Sequence, residues 1–142
     1  MNDRFFLDTN VFIYSFDPAA VEKARVAEGL IDRAIERGKG IVSYQVVQEF
    51  FNIALRRFVQ PMSPAEAEQY LALTFRPLLA VYPSIALFGE AMRIQQRHTV
   101  SWYDSLIVAS ALEAQCSTLF SEDFQDGRKF GDLTIRNPFA GI

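Results

Sequence analysis

Four acidic residues, two where an apolar run gives way to polar residues, one at the start of a helix and one on a helix border, are the first chemical signal in this chain. Asp8 follows the bulky run Phe5-Phe6-Leu7 and precedes Thr9 and Asn10. Asp123 follows Thr118-Leu119-Phe120 through Ser121 and Glu122, so an apolar run again stops at a hydroxyl and carboxylates. Asp104 comes three residues after Ser101 at the head of an apolar helix, and Glu49 falls on the border of an amphipathic one. Each has an ordinary structural explanation. Asp8 or Asn10 can cap a helix, Asp104 can complete a capping box, and a border glutamate is usually just solvated. Brought together, however, ionised carboxylates raise one another's pKa unless a cation neutralises them. Hard oxygen donors of this kind suit Mg²⁺ or Mn²⁺ rather than zinc or copper. The hydroxyls of Thr9 and Ser121 and the amide of Asn10 would orient such ligands. One or two ions held there would activate a water and stabilise the leaving oxygen of a phosphodiester.

Other chemistries fit less well. His98 is the one histidine, so neither a paired-histidine nuclease nor a multi-histidine zinc site is available. A haloacid-dehalogenase-like phosphatase would place an acid two residues after its nucleophile, where Asn10 stands. A receiver domain would carry an acidic pair after the first strand and a lysine after a late one, and neither is found. No glycine-rich phosphate loop precedes a helix.

The elements that must position the acids alternate. Phe5-Phe6-Leu7 reads as a buried strand, and residues 19–37 as a helix stopped by Gly38. Gly40-Ile41-Val42 is a second strand. Ser43 caps a helix from Tyr44 to about Phe58, and Ser63-Pro64-Ala65-Glu66 opens another that runs to about Phe75. Residues 78–82 form a third strand, and Ser84 caps a helix to about Arg97. Residues 105–114 are apolar or small almost all round, which predicts a buried helix. Thr118-Leu119-Phe120 and Leu133-Thr134-Ile135 are the last strands. Such alternation predicts right-handed crossovers and an α/β domain, with a mainly parallel sheet between two helical layers. Asp8 and Asp123 then emerge at one edge of the sheet, with Asp104 and Glu49 near them.

The chain of 142 residues is half hydrophobic and 13% aromatic, which fits a single domain over residues 1–142 with a substantial core. No apolar run is long enough for a membrane helix and no signal-peptide pattern opens the chain, so a cytoplasmic protein with no membrane partner is expected. One cysteine, Cys116, fits a reducing compartment and a core position. A net charge of −3 argues against broad electrostatic coating of nucleic acid, but not against a local site. Arginines such as Arg56 and Arg97 are candidates for holding the phosphate backbone. Phe50, Phe51, Tyr70 and Phe75 are candidates for either an interface or the core.

The ordered set Leu7-Asp8-Thr9-Asn10-Val11, then Glu49 after Ser43-Tyr44-Gln45, then residues 103–111 and Ser121-Glu122-Asp123-Phe124 resembles the PIN domain, and most closely its VapC-type toxins. The resemblance spans nearly the whole chain. It implies an α/β/α sandwich and an endoribonuclease dependent on Mg²⁺ or Mn²⁺. Asp8, Glu49, Asp104 and Asp123 match the acidic quartet, and Thr9 and Ser121 the supporting hydroxyls. It also implies RNA as substrate, a homodimer and a cognate antitoxin protein. In the last loop Glu122, Asp123 and Asp126 all offer carboxylates; Asp123 is favoured as ligand, with Asp126 as an auxiliary. A catalytically silent module that binds RNA or protein is the alternative.

Overall fold

The computed structural model describes residues 2–142. Six strands form one sheet: β1 (Phe5–Leu7), β2 (Gly40–Ser43), β3 (Leu79–Val81), β4 (Thr118–Phe120), β5 (Lys129–Phe130) and β6 (Leu133–Arg136). Their spatial order is β3-β2-β1-β4-β6-β5. All pairings are parallel except β5 with β6. The helices are α1 (Thr9–Tyr14), α2 (Val21–Arg37), α3 (Tyr44–Ala54), α4 (Pro64–Tyr70), α5 (Ile85–Arg97) and α6 (Trp102–Glu113). This is the α/β fold expected, a mainly parallel sheet flanked by helices. From β1 the order runs outward to β2 and β3 on one side and to β4 on the other, so the crevice between β1 and β4 is the topological switch point.

Local chemistry accounts for most boundaries. Gly38 ends α2 in the left-handed region at φ 65°. Ser43, Ser84 and Ser101 each accept a backbone N–H three residues on. At Ser63 and Glu66 both halves of the capping box are made. At Ser101 one half is made: Ser101 Oγ accepts from Asp104 N at 3.1 Å, and among the described residues the Asp104 carboxylate accepts no hydrogen bond. That carboxylate therefore stays available.

Three boundaries differ from the sequence reading. The helix expected to reach Phe58 ends at Ala54, because Met62 N returns to donate to the Ala54 carbonyl at 3.0 Å and the chain must turn. The following helix is α-helical only to Tyr70 and continues to Phe75 as a π-helical turn, in which Arg76 N donates to the Leu71 carbonyl. The two-residue strand β5 was not anticipated. It pairs back on β6 through a tight turn at Gly131, φ 60°.

The core is aromatic beside α1 and α3. Phe12, Phe50 and Phe75 are fully buried, and Phe50 stacks on Tyr70 with centroids 5.0 Å apart and planes inclined by 17°. Phe51 and Tyr70 are partly buried against the same cluster, so Phe50, Phe51, Tyr70 and Phe75 all belong to the core. Residues 105–111 of α6 are buried throughout, and Cys116 is buried as well. At Gly40, β2 passes so close to α2 that a Cβ would collide with the Cβ and backbone of Ala34. Gly40→Ala should lower stability by about 1–3 kcal/mol through overpacking. Gly29→Ala, with open space around it in α2, should be neutral or stabilising by up to ~1 kcal/mol. Urea unfolding of the two variants checks the contrast; equal midpoints would refute it.

Candidate active site

Asp8 directly follows β1, and its N–H donates to the Phe120 carbonyl at 3.0 Å, which carries the β1–β4 ladder one bond past the strand. That bond sets Asp8 beside Ser121. Ser121 Oγ donates to Asp8 Oδ2 at 2.7 Å, and Thr9 N donates to Asp8 Oδ1 at 2.7 Å. Asp8 is thus also the N-cap of α1, so the capping and site readings hold together. The side chain is 4% exposed. Burial, opposed by these two hydrogen bonds and reinforced by Asp123 and Glu49, pushes its pKa up to about 7.

The other acids gather around it. Thr9 Oγ1 donates to Glu49 Oε1 at 2.7 Å, tying the second turn of α3 to the start of α1. Asn10 Nδ2 donates to Asp123 Oδ2 at 3.3 Å, and Asp123 N donates to Ser121 Oγ at 3.1 Å. Desolvation raises the Asp123 pKa first, then the charges of Asp104 and Glu122, with Asn10 opposing and Glu49 adding. Asp8, Glu49, Asp104 and Asp123 are therefore linked electrostatically around one crevice at the carboxyl ends of β1 and β4.

The loop after β4 divides its three acids. Glu122 accepts from Tyr14 Oη at 2.7 Å and pairs with Lys23 Nζ at 3.5 Å. Asp126 accepts from Asn137 N at 2.9 Å and holds the C-terminal segment. Asp123 alone of the three faces the crevice acids. Arg56 is exposed and bonds Asn52 at 3.1 Å, and Arg97 is exposed at the end of α5. Neither pairs with any of the four acids. His98 caps the end of α5 and lies against Phe130, centroids 4.7 Å apart.

Sequence reasoning quoted Gln45 in the stretch before Glu49 but gave it no role. Its Nε2 donates to Glu49 Oε2 and to the Tyr103 carbonyl, both at 3.3 Å, and so joins α3 to the start of α6. The i, i+4 spacing to Glu49 was the available signal. The Tyr14–Lys23 hold on Glu122 had none, because it depends on how α1 and α2 pack.

Among the described residues no three Asp, Glu, His or Cys side chains close tightly enough on one point to hold an ion by themselves. The residues nevertheless fit a hard divalent cation. Asn10 Oδ1 is buried without a hydrogen-bond partner, the neighbouring donors are carboxylate oxygens, and Mg²⁺ commonly uses one or two carboxylates and keeps several waters.

The fold is an α/β domain with an acidic crevice at its switch point. Residues 5–127 match the PIN domain family, and the chain belongs to it. PIN domains are typically nucleases and in general metal-dependent. Similar solved structures include a toxin–antitoxin complex from Klebsiella pneumoniae, at TM-score 0.64 and 16% identity, covering 94% of this chain and 97% of that one. VapC20 of Mycobacterium tuberculosis, described as a sarcin-ricin-loop-cleaving toxin, is similar at TM-score 0.61 and 18% identity, covering 84% and 91%. FitAcB from Neisseria gonorrhoeae is similar at TM-score 0.60 and 17% identity, covering 96% and 99%. At these identities the likeness establishes the fold. Among curated proteins, none matches the sequence. No helix of the described residues is long and apolar enough to cross a membrane.

The raised Asp8 pKa has a thermodynamic sign. The folded state keeps the Asp8 proton up to about pH 7, whereas the unfolded chain releases it near the ordinary value of 3.8. Between those values the folded state binds more protons, so stability in chelator should fall as pH rises from about 4 to about 7. Asp8→Asn should flatten that slope. Thermal melts across this range check it, and an unchanged slope in the variant would show that Asp8 is not its source.

Proposed function

We propose that this PIN domain is an endoribonuclease dependent on Mg²⁺ or Mn²⁺ and the toxin of a toxin–antitoxin pair. The observation that carries the reading is the buried Asp8 carboxyl facing Asp123 across the switch point, with Glu49 and Asp104 beside them. Carboxylates placed to repel one another cost stability, and a cation-assisted reaction gives them a purpose. The likeness to toxin structures supports the biological role.

Asp8 and Asp123 would hold the cation, Glu49 and Asp104 would complete its surroundings through water, and Thr9, Asn10 and Ser121 would keep the carboxylates in place. Bound there, a divalent cation supplies a Lewis acid that eases deprotonation of a water and screens the phosphate. Asp126, held by Asn137 N, is at most an auxiliary ligand. The attacking water forms a bond to phosphorus, the bond to the 3′ oxygen breaks, and that oxygen takes up a proton. The products are a 5′-phosphate and a 3′-hydroxyl, with no participation by the ribose 2′-hydroxyl. Arg56 and Arg97, which form no ion pair among the described residues, are available to the RNA backbone as it leaves the crevice. A homodimer and a small antitoxin protein complete the proposed assembly.

Purified protein incubated with a panel of structured RNAs should cleave with Mg²⁺ or Mn²⁺ and stop with chelator. Asp8→Asn should cut the rate by about 100-fold or more while keeping the fold, since asparagine still caps α1. A cyclic phosphate end would overturn the water-attack chemistry. Failure to bind divalent cations would make the chain a silent PIN module.

A further inference from the structure

Beside the acidic crevice lies a second cleft of about 270 Å³, between the start of α3, the end of β3 and the first turns of α5 and α6. Five aromatic side chains line it: Tyr44, Tyr82, Phe88, Trp102 and Tyr103. Phe12, Phe50 and Phe75 of the aromatic core are fully buried, whereas Tyr44, Tyr82 and Tyr103 are 43%, 56% and 64% exposed. Their grouping is ordered. Tyr44 and Tyr82 meet with centroids 6.0 Å apart, and Phe88 and Trp102 at 6.2 Å. No charged side chain lines the cleft; its polar lining is hydroxyl and amide, including Gln45. The suitable occupant is therefore flat, neutral and edged with hydrogen-bonding groups.

Gln45 connects this cleft to the acids. One amide nitrogen donates both to Glu49 Oε2 and to the carbonyl of Tyr103, and Tyr103 immediately precedes Asp104. The cleft therefore adjoins the segments that carry Glu49 and Asp104.

We infer that the cleft is a stacking platform for an unpaired base of the RNA strand whose phosphate enters the acidic site. The inference rests on the ribonuclease reading. A nucleobase offers a π face to the rings and an edge to the amides, and stacking of this kind binds bases with little sequence preference. Bases inside an A-form duplex cannot present their faces and are excluded.

Trp102 is the chain's one tryptophan, so its fluorescence reads the cleft directly. Mixed-sequence single-stranded oligoribonucleotides and abasic ribose-phosphate chains of equal length would be titrated into the Asp8→Asn protein with Mg²⁺. The base-bearing strand should change Trp102 emission and the abasic chain should not. Replacing Tyr44 and Tyr82 together by Ala should weaken binding by about 10-fold or more, and in the otherwise native protein should raise KM while leaving kcat nearly unchanged. Replacing both by Phe should retain binding. Melting of the Ala pair at the native temperature separates lost stacking from lost folding.

Equal response to the abasic chain, or unchanged KM in the Ala pair, overturns the platform. So does a Trp102 signal that follows protein concentration alone, which assigns the cleft to a second copy. The two readings fail separately. Metal-dependent cleavage with a silent Trp102 leaves the nuclease and removes the platform; base-dependent Trp102 emission without cleavage of any RNA does the reverse.

Discussion

The arrangement depends on one accommodation, the burial of the Asp8 carboxyl at the junction of β1 and β4. The ladder bond from Asp8 N to the Phe120 carbonyl places it, and Ser121 Oγ and Thr9 N satisfy its two oxygens at 2.7 Å. Hydrogen bonds to a charged group contribute about 1.5–3 kcal/mol each, while stripping a carboxylate of water costs several kcal/mol. The Asp8 pKa is accordingly raised, with burial as the largest cause. Desolvation outweighs both bonds, and the neighbouring acids add to it. A site of this kind is incompletely balanced by protein groups alone, and the orphaned Asn10 Oδ1 points the same way.

That imbalance makes the surrounding holds important. If all three acids of the loop after β4 turned inward, repulsion would be worse and the loop would have no reason to keep its shape. Lys23 and Tyr14 draw Glu122 away, and Asp126 is occupied by the backbone of Asn137. Only Asp123 is left to the crevice, steadied by Asn10 and by its own N–H on Ser121. Ser121 therefore serves twice, donating to Asp8 and accepting from Asp123. Thr9 does comparable work on the other flank by bonding Glu49. The hydroxyls matter because each joins two elements that carry acids.

What could be read from the sequence follows from how local the governing physics is. The capping box at Ser63 and Glu66, the glycine stop at Gly38 and the buried body of α6 depend on neighbours a few residues apart, and all were legible. The early end of α3 was not, because it is set by Met62 returning to Ala54 and by the aromatic packing of Phe50 on Tyr70. Nor was β5, two residues long and stabilised by pairing with β6 and by Phe130 against His98. Of the four candidate acids, Asp8 and Asp123 stood out by their places after apolar strands and Glu49 and Asp104 by their places on helices, and the structure brings their charges within reach of one another. Asp123 was already favoured over Glu122 and Asp126 by the family resemblance, but the partners that hold the other two lie on α1, α2 and the C-terminal segment, which no spacing encodes.

A comparison of Asp8 with Asp104 shows why two acids at helix starts differ in consequence. Both occupy first-turn or capping positions, where a negative charge meets the positive end of a helix and costs least. Asp104 is half-buried, and its backbone rather than its carboxylate completes the cap on Ser101. Asp8 spends its carboxylate on the cap and on Ser121 while fully enclosed. If capping were its whole purpose, asparagine or serine would serve as well without the burial cost. A residue that meets its local role with a more expensive group than that role requires is where function is most economically placed. By that reasoning Asp8 is the anchor of the proposed site, with Asp123, Glu49 and Asp104 grouped around it.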